Sequence, residues 1–566
     1  MAKPSKAWSI HSAGIEDANA HCADPIPQNA RFALSPVCPM NVLLQERAKA
    51  PPPTTEKLKT ALAWCWLFMP LLWMWPNTRS ASEVVVSALL LMCALLSRIT
   101  TRLVTVLLLV VGLCFLGYFF AVHSLPDEFF WQSILGSNAG EAVEYVQSYR
   151  ATDAALLLAW ALPALLAIRH LWRLPRPLQS KKIRVLAWVT LGIWAIWICV
   201  SFFKGYDVYK FFSRAGRIYP FMMVESWERY EKNAQLATLT TPATPPEAPP
   251  MVDMLVVVIG ESASAHRWSL LGYEGNPTNA ALAPWQSALV TFPLTTNGNN
   301  TGKTLPVIVA GRSLHPLPEQ GVASYIDLAK AAGFQTKVFA NQQAPGFANV
   351  ALRLRSDLYR HLQDGKFDGA LTPWLQESLQ QYASNAQPQI VTLHTYGSHP
   401  RVARRYPESA ALWSDPYDNS MHYTSQLLAE WIQALDQLQD RRVALLYVSD
   451  HGQDFPVCGG SYVHGITRST YEVPFLLWAN QTMRQQYPAW WQQWQQLGQH
   501  ALDAQGVPRF NTLLPAQLMA QLTGHPYTLP SSQGLSTNGA YPPAETSALC
   551  SNWFPHVQQL HPAAIQ

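Results

Sequence analysis

The sequence predicts an α/β protein in two parts: a five-helix transmembrane domain, then a soluble α/β sandwich built on a mostly parallel sheet. Two observations carry this expectation. Long uncharged apolar stretches recur in the first half of the chain, whereas from Pro245 onward it reads as ordinary globular sequence. After Met251, short β-branched runs alternate with helical stretches, which is how strands buried on both faces of a parallel sheet appear.

Five segments are candidate membrane helices: 58–75, 84–96, 103–122, 154–168 and 185–203. The third and fifth are long enough alone, since about 20 apolar residues cross a bilayer core. The shorter ones draw support from their flanks. Arg98 and Arg102 lie between the second and third segments, and Arg169, Arg173, Arg176, Lys181, Lys182 and Arg184 crowd the connection from fourth to fifth. The connection from third to fourth carries Asp127, Glu128, Glu141 and Glu144 against a single Arg150. Basic loops stay cytoplasmic. The expectation is therefore a bacterial inner-membrane protein with a cytoplasmic N-terminus, five spans and a periplasmic C-terminal half.

The domain boundaries follow. Residues 1–56 have no apolar core near Met1 and read as a disordered cytoplasmic tail. The five spans occupy 57–204. Residues 205–250 begin with aromatics among charges, including Tyr219, Trp227 and Tyr230, and end in a proline-rich linker. Amphipathic rings partition to a lipid surface, so interfacial helices are expected there. Residues 251–566 form the soluble domain, with strands expected at 254–259, 336–339, 389–393, 443–448 and 473–477. Of the eight cysteines only Cys458 and Cys550 reach the oxidising side. Their chemistry permits a disulfide there, but a large sequence separation does not decide proximity.

Potential ligands sit at the ends of two of these runs. Glu261 follows Val256-Val257-Val258-Ile259-Gly260, and Asp450-His451 follows Leu445-Leu446-Tyr447-Val448-Ser449. Parallel sheets gather functional groups at the carboxyl ends of their strands. Two carboxylates and an imidazole meeting there suit a divalent cation such as Zn²⁺. Taken singly, each residue has a plainer role, as a helix-start acid or a turn residue; it is their joint occurrence that points to a metal. The Gly298-to-Thr304 stretch is not a nucleotide-binding P-loop, because its glycines enclose three residues and not four. Nucleic-acid binding has no support, since the net charge of +4 comes mostly from Arg and Lys of the cytoplasmic loops.

In its ordered motifs the chain resembles the phosphoethanolamine transferases of the alkaline phosphatase superfamily. The matching motifs are Gly260-Glu261-Ser262 with Ser269-Leu270-Leu271-Gly272-Tyr273; Thr301 five residues before Pro306; His394 to His399 with Arg405-Tyr406-Pro407; Tyr417-Asp418-Asn419; and Ser449-Asp450-His451-Gly452 with His464-Gly465. The likeness covers roughly residues 57–530 and includes an Asn138/Glu141/Glu144 segment like the family's periplasmic loop. It implies an alkaline-phosphatase-like fold and a Zn²⁺ held by Glu261, Thr301, Asp450 and His451, with Thr301 as nucleophile. His394, His399 and His464 would bind substrate or a second metal. The implied reaction moves phosphoethanolamine from phosphatidylethanolamine to a glycolipid or glycan acceptor, lipopolysaccharide core or lipid A foremost, through a covalent threonine intermediate. A monomer embedded in inner-membrane lipid is expected.

Departures bear on the acceptor and leave the chemistry intact. The short-range cysteine pair that many relatives carry beside the nucleophile is replaced by Asn297 and Val307, and Gln453 stands where an acid is usual. The alternatives are a phosphoglycerol transferase or a metal-dependent phosphohydrolase of the same superfamily. The sulfatase nucleophile pattern Cys/Ser-x-Pro/Ala-x-Arg is missing from Thr301-Gly302-Lys303-Thr304-Leu305.

Overall fold

The computed structural model describes residues 54–71, 90–122, 126–136, 143, 149–174, parts of 185–200, 219–220, 222–239, 243–312, 321–362, 366–385, 387–460, 462–527 and 546–557 apart from Phe554. The expected N-terminal tail, the Asn138/Glu141/Glu144 segment and parts of the first, second and fifth spans lie outside these residues. The chain divides into two compact units, Met1–Leu58 and Lys59–Gln566.

The helices ahead of the sheet include α1 (Thr54–Leu67), α2 (Arg98–Val122), α3 (Glu128–Gly136), α4 (Ala151–Arg173) and α5 (Met222–Thr238). Two are long and apolar enough to cross a membrane, Arg98–Phe120 and Ala151–Arg173, each 23 residues. At 1.5 Å per residue each reaches about 35 Å, enough for a bilayer core. One side of α4, with Trp160, Ala164, Ala167, Ile168 and Leu171, packs with Leu108, Phe115 and Leu116 of α2. Its other side leaves Leu158, Leu162, Leu165 and Leu166 at least half exposed. A helix apolar on both faces fits a lipid solvent. Within 205–250, Trp227 of α5 packs edge-on against Trp131 of α3 at 5.0 Å.

The sheet has seven strands: β1 (Met254–Gly260), β2 (Leu289–Thr295), β3 (Gln335–Ala340), β4 (Leu358–His361), β5 (Gln389–His394), β6 (Val443–Ser449) and β7 (Glu472–Ala479), in the order β2-β7-β6-β1-β5-β3-β4. β7 runs antiparallel to both its neighbours, while every other pair is parallel. The central strands β1, β5 and β6 are buried at every residue, which explains their uninterrupted apolar sequence. Side-chain alternation then divides the core in two. Leu255, Val257 and Ile259 face one apolar layer, and Met254, Val256 and Val258 face the other.

All five expected strands form, with ends extended by one or two residues. β2 and β4 were not expected, for physical reasons. Pro293 interrupts β2, and proline donates no ladder hydrogen bond. The sheet accommodates it by placing β2 at the edge, with Pro293 opposite Pro474 of β7. β4 is four residues long and half-buried throughout, so it carries little apolar signal.

Cys458 and Cys550 are joined in a disulfide, with Cα atoms 5.0 Å apart and a sequence separation of 92. A loop of that length implies about 4–5 kcal/mol of stabilisation on the chain-entropy account. A Cys458→Ser/Cys550→Ser variant is accordingly expected to lose several kcal/mol in denaturant unfolding of the full chain. An unchanged midpoint would show that the bridge does not constrain the unfolded chain.

Candidate metal centre

Strand register brings the candidate ligands together. Ile259 pairs with His394 across β1 and β5, and Gly260 pairs with Ser449 across β1 and β6. Glu261, Asp450-His451 and His394 therefore emerge side by side at the carboxyl ends of three adjacent strands. Thr301 comes from another direction, as the first residue of α6 (Thr301–Ala310). The Asn300 side chain caps that helix by accepting from Lys303 N. Thr301 thus sits at the electropositive end of a helix whose first N–H groups have no partner within the helix.

Thr301 Oγ1 donates to Glu261 Oε2 at 3.0 Å and lies 3.4 Å from His451 Nε2. His451 Nε2 is 3.4 Å from Glu261 Oε1 and 3.4 Å from Asp450 Oδ2. Four ligands about 2.0 Å from one ion stand about 3.3 Å apart at the corners of a tetrahedron. The separations just given, 3.0–3.4 Å, are close to that spacing. His451 Nδ1 lies 2.8 Å from Gly452 O. A hydrogen on Nδ1 makes that contact a hydrogen bond and leaves the Nε2 lone pair aimed at the cluster, the arrangement typical of a metal-bound histidine. Asp450 Oδ2 and His464 Nε2 are buried without a hydrogen-bond partner. The residues fit a divalent cation.

His464 falls in the same cluster. The ligand atoms of Glu261, His451 and His464 all lie within 4.8 Å of one another, and the His451 and His464 rings meet edge-on at 4.7 Å. His394 reaches the site through Gln342, whose Nε2 is 2.9 Å from Glu261 Oε2, 3.1 Å from His394 Nε2 and 3.0 Å from Thr395 O. His399 is carried by the same loop, where Ser398 N donates to Glu261 O at 2.9 Å. Gly397 adopts φ +51°, and a Cβ there would stand 2.4 Å from Glu261 O, so the close approach of the two loops requires glycine.

Sequence reasoning missed Gln342, and it quoted Ser262 and Tyr417 as motif residues without giving them a role. Gln342 follows β3 at its carboxyl end, as Glu261 follows β1, and that placement was the available signal. Ser262 Oγ donates to Glu261 Oε1 at 2.5 Å, and its backbone takes φ +59°. Tyr417 OH donates to Ser262 O at 2.5 Å and accepts from Ser264 N at 2.8 Å, holding that bend.

The electrostatics call for positive charge. Burial pushes the Asp450 carboxyl upward and the Glu261 charge adds to it, to about 7. Burial would raise Glu261 too, but His451 and hydrogen bonds from Ser262 and Gln342 more than offset it, and it stays below the usual carboxylate range. Burial lowers His394 and His399 to about 4 and His464 to about 3. These three imidazoles are neutral at pH 7 and offer lone pairs, not charge.

A pH dependence follows for the cation-free protein. Asp450 is protonated below about pH 7, and a cation binds only the carboxylate. His451, whose imidazole Asp450 and Glu261 raise against the effect of burial, must give up its proton as well, so metal affinity is expected to fall at least tenfold per unit as pH drops below 7. Zn²⁺ titrations between pH 5.5 and 8.5 check this, and a flat profile would contradict it.

Residues 253–502 match the sulfatase family model. That 250-residue segment, less than half of the 566-residue chain, is similar to the sulfatase family. Among curated proteins, it is similar to YhbX of Escherichia coli (strain K12), 29% identical over 247 residues, 40% of this chain and 43% of that protein. It is also similar to the Kdo(2)-lipid A phosphoethanolamine 7''-transferase of the same strain, 24% identical over 409 residues, 65% of this chain and 67% of that one. The match to YhbX thus spans less than half of that relative's length. Among solved structures, the lipooligosaccharide phosphoethanolamine transferase A (EptA) of Neisseria meningitidis aligns over 85% of this chain and 92% of its own, with a TM-score of 0.53 at 17% identity. That likeness in fold extends beyond residues 253–502 into the helical region.

Proposed function

We propose that the protein is a metal-dependent phosphoethanolamine transferase of the bacterial inner membrane, with five spans and a periplasmic catalytic domain. The reading is supported above all by one observation: a threonine hydroxyl at a helix N-terminus shares a four-donor cluster with Glu261, Asp450 and His451. The relatives named as phosphoethanolamine transferases support phosphoethanolamine as the transferred group.

Glu261, Asp450, His451 and Thr301 would hold the ion, taken as Zn²⁺, with His464 beside them. Its chemistry there is to lower the pKa of the threonine hydroxyl and to offset charge on phosphoryl oxygens. Thr301 Oγ1 attacks the phosphorus of phosphatidylethanolamine. An Oγ–P bond forms, the P–O bond to diacylglycerol breaks, and the glycerol oxygen takes up a proton. Glu261 Oε2, at 3.0 Å, is placed to accept the proton from Thr301. The N–H groups at the start of α6 face the charge that develops on the phosphoryl oxygens. In the second half, an acceptor hydroxyl or phosphate on a lipid A, core or glycan molecule attacks the same phosphorus. Its O–P bond forms as the Thr301 Oγ–P bond breaks, and Thr301 recovers a proton. His394 and His399, neutral at pH 7, line the site as hydrogen-bond partners for substrate or ligands to a second ion.

The test is mass spectrometry of envelope glycolipids and glycans from cells with and without the protein. A phosphoethanolamine difference on one species supports the reading and identifies the acceptor. A glycerol phosphate difference, or free phosphoethanolamine as the main product with acceptor present, would replace it with one of the alternatives.

A further inference from the structure

We propose that Asp127 and Arg150 are positioning residues that lock the membrane helices onto the metal centre and set the register in which a membrane-embedded donor meets Thr301; this rests on the lipid donor of the preceding reading. Asp127 stands between α2 and α3, and its Oδ2 is 3.2 Å from Lys303 Nζ, with both side chains largely covered. Lys303 is the third residue of α6, two positions from Thr301. Arg150 directly precedes α4, and its NH2 is 3.2 Å from Oδ2 of Asp454, a side chain only 5% exposed.

Asp454 is four residues beyond Asp450 and organises the loop that returns to His464. Its backbone bridges to Val463, and its Oδ1 accepts from the hydroxyls of Thr467 and Thr470. Arg150 thus ties the start of α4 to an element of the metal centre, and Asp127, which directly precedes α3, ties that shorter helix to another. One tie reaches the helix of Thr301, and the other reaches the loop of His464. Between them α3 lies against α6 and α5, and its Gln132 side chain abuts Gly346.

The two bridges have opposite polarity. The membrane side offers an acid to Lys303 and a base to Asp454, so the pairs cannot exchange partners, and each offset of the helices separates unlike charges. Partly exposed ion pairs contribute little to stability. Their value here is registry, because a displacement of about 1 Å between reacting groups costs on the order of 100-fold in rate. The sequence marks Arg150 as the single base of an acidic loop, read for topology; the structure gives it a partner in the catalytic half.

The test uses the full-length protein in lipid nanodiscs and two donors: phosphatidylethanolamine in the disc, and a soluble aryl ester of phosphoethanolamine. Asp127→Lys and Arg150→Glu are each expected to lower kcat/KM for the lipid donor about tenfold or more while leaving the soluble ester within about twofold. The Asp127→Lys/Lys303→Asp exchange is expected to recover the lipid reaction to within about threefold of the parent. Equal losses on both donors, no loss on the lipid, or no recovery in the exchanged pair would each overturn the inference. Amide hydrogen exchange of α3 and α6 supplies a readout independent of turnover. It should quicken in Asp127→Lys and return in the exchanged pair, and unchanged exchange would count against the bridge. If the parent protein turns over the ester but not the lipid, the lipid-donor reading fails, while the exchange data still decide whether the bridge holds the two helices.

Discussion

Thr301→Ala is expected to abolish transfer, lowering kcat by about 10⁴-fold or more, with little effect on folding. Removing a nucleophile leaves only binding and electrostatic assistance, and residual rates of that order are what such groups sustain. The side chain is a small hydroxyl at the first position of α6, and helix capping is carried by Asn300, so its loss does not unravel the helix. Thr301→Ser should keep a measurable fraction, since its Oγ can still reach Glu261 Oε2. Release of diacylglycerol from labelled phosphatidylethanolamine checks both variants. Substantial activity in Thr301→Ala would move the nucleophile elsewhere or make water the attacking group.

The second large effect concerns the ligand set. Glu261→Gln keeps the shape of the side chain but removes a charge, and is expected to weaken Zn²⁺ binding by more than the 10–100-fold typical of outer-shell changes. Chelation of the parent protein should act in the same direction on stability. Glu261 and Asp450 are buried beside His451, and two carboxylates confined together raise each other's cost of ionisation. A ligand present at 1,000 times its Kd stabilises the folded state by about 4 kcal/mol. The unfolding temperature should therefore drop on chelation and return with Zn²⁺, but not with Mg²⁺, whose octahedral oxygen preference suits this donor set poorly. Unfolding temperatures indifferent to chelator would argue that the cluster is not a metal centre.

Much of this was legible in the chain because the relevant signals are local. The strands that bear ligands are continuous apolar runs of β-branched residues, and each hands over directly to an acid or histidine. β2 and β4 escaped because a proline and a short half-buried segment give no such run. Thr301 illustrates the limit. Nothing in its own segment distinguishes it from a helix-start threonine, and its meaning comes from 3.0–3.4 Å contacts with residues 40 and 150 positions away. Gln342 and the role of Tyr417 were invisible for the same reason, as their partners are tertiary. His464 was recognised as a site residue, but its closeness to Glu261 and His451 depends on how the loop from Asp454 folds back. The bridges of Asp127 and Arg150 join segments more than 170 residues apart, a distance at which sequence pattern carries no information about pairing.

The most direct test of the central claim is to trap the protein during turnover. Full-length enzyme loaded with Zn²⁺, mixed with phosphatidylethanolamine in the absence of acceptor and quenched in acid, is expected to gain the mass of one phosphoethanolamine on the peptide containing Thr301, with one diacylglycerol released per adduct. An adduct on another residue, a glycerol phosphate in its place, or steady release of diacylglycerol with no adduct at all would contradict the account.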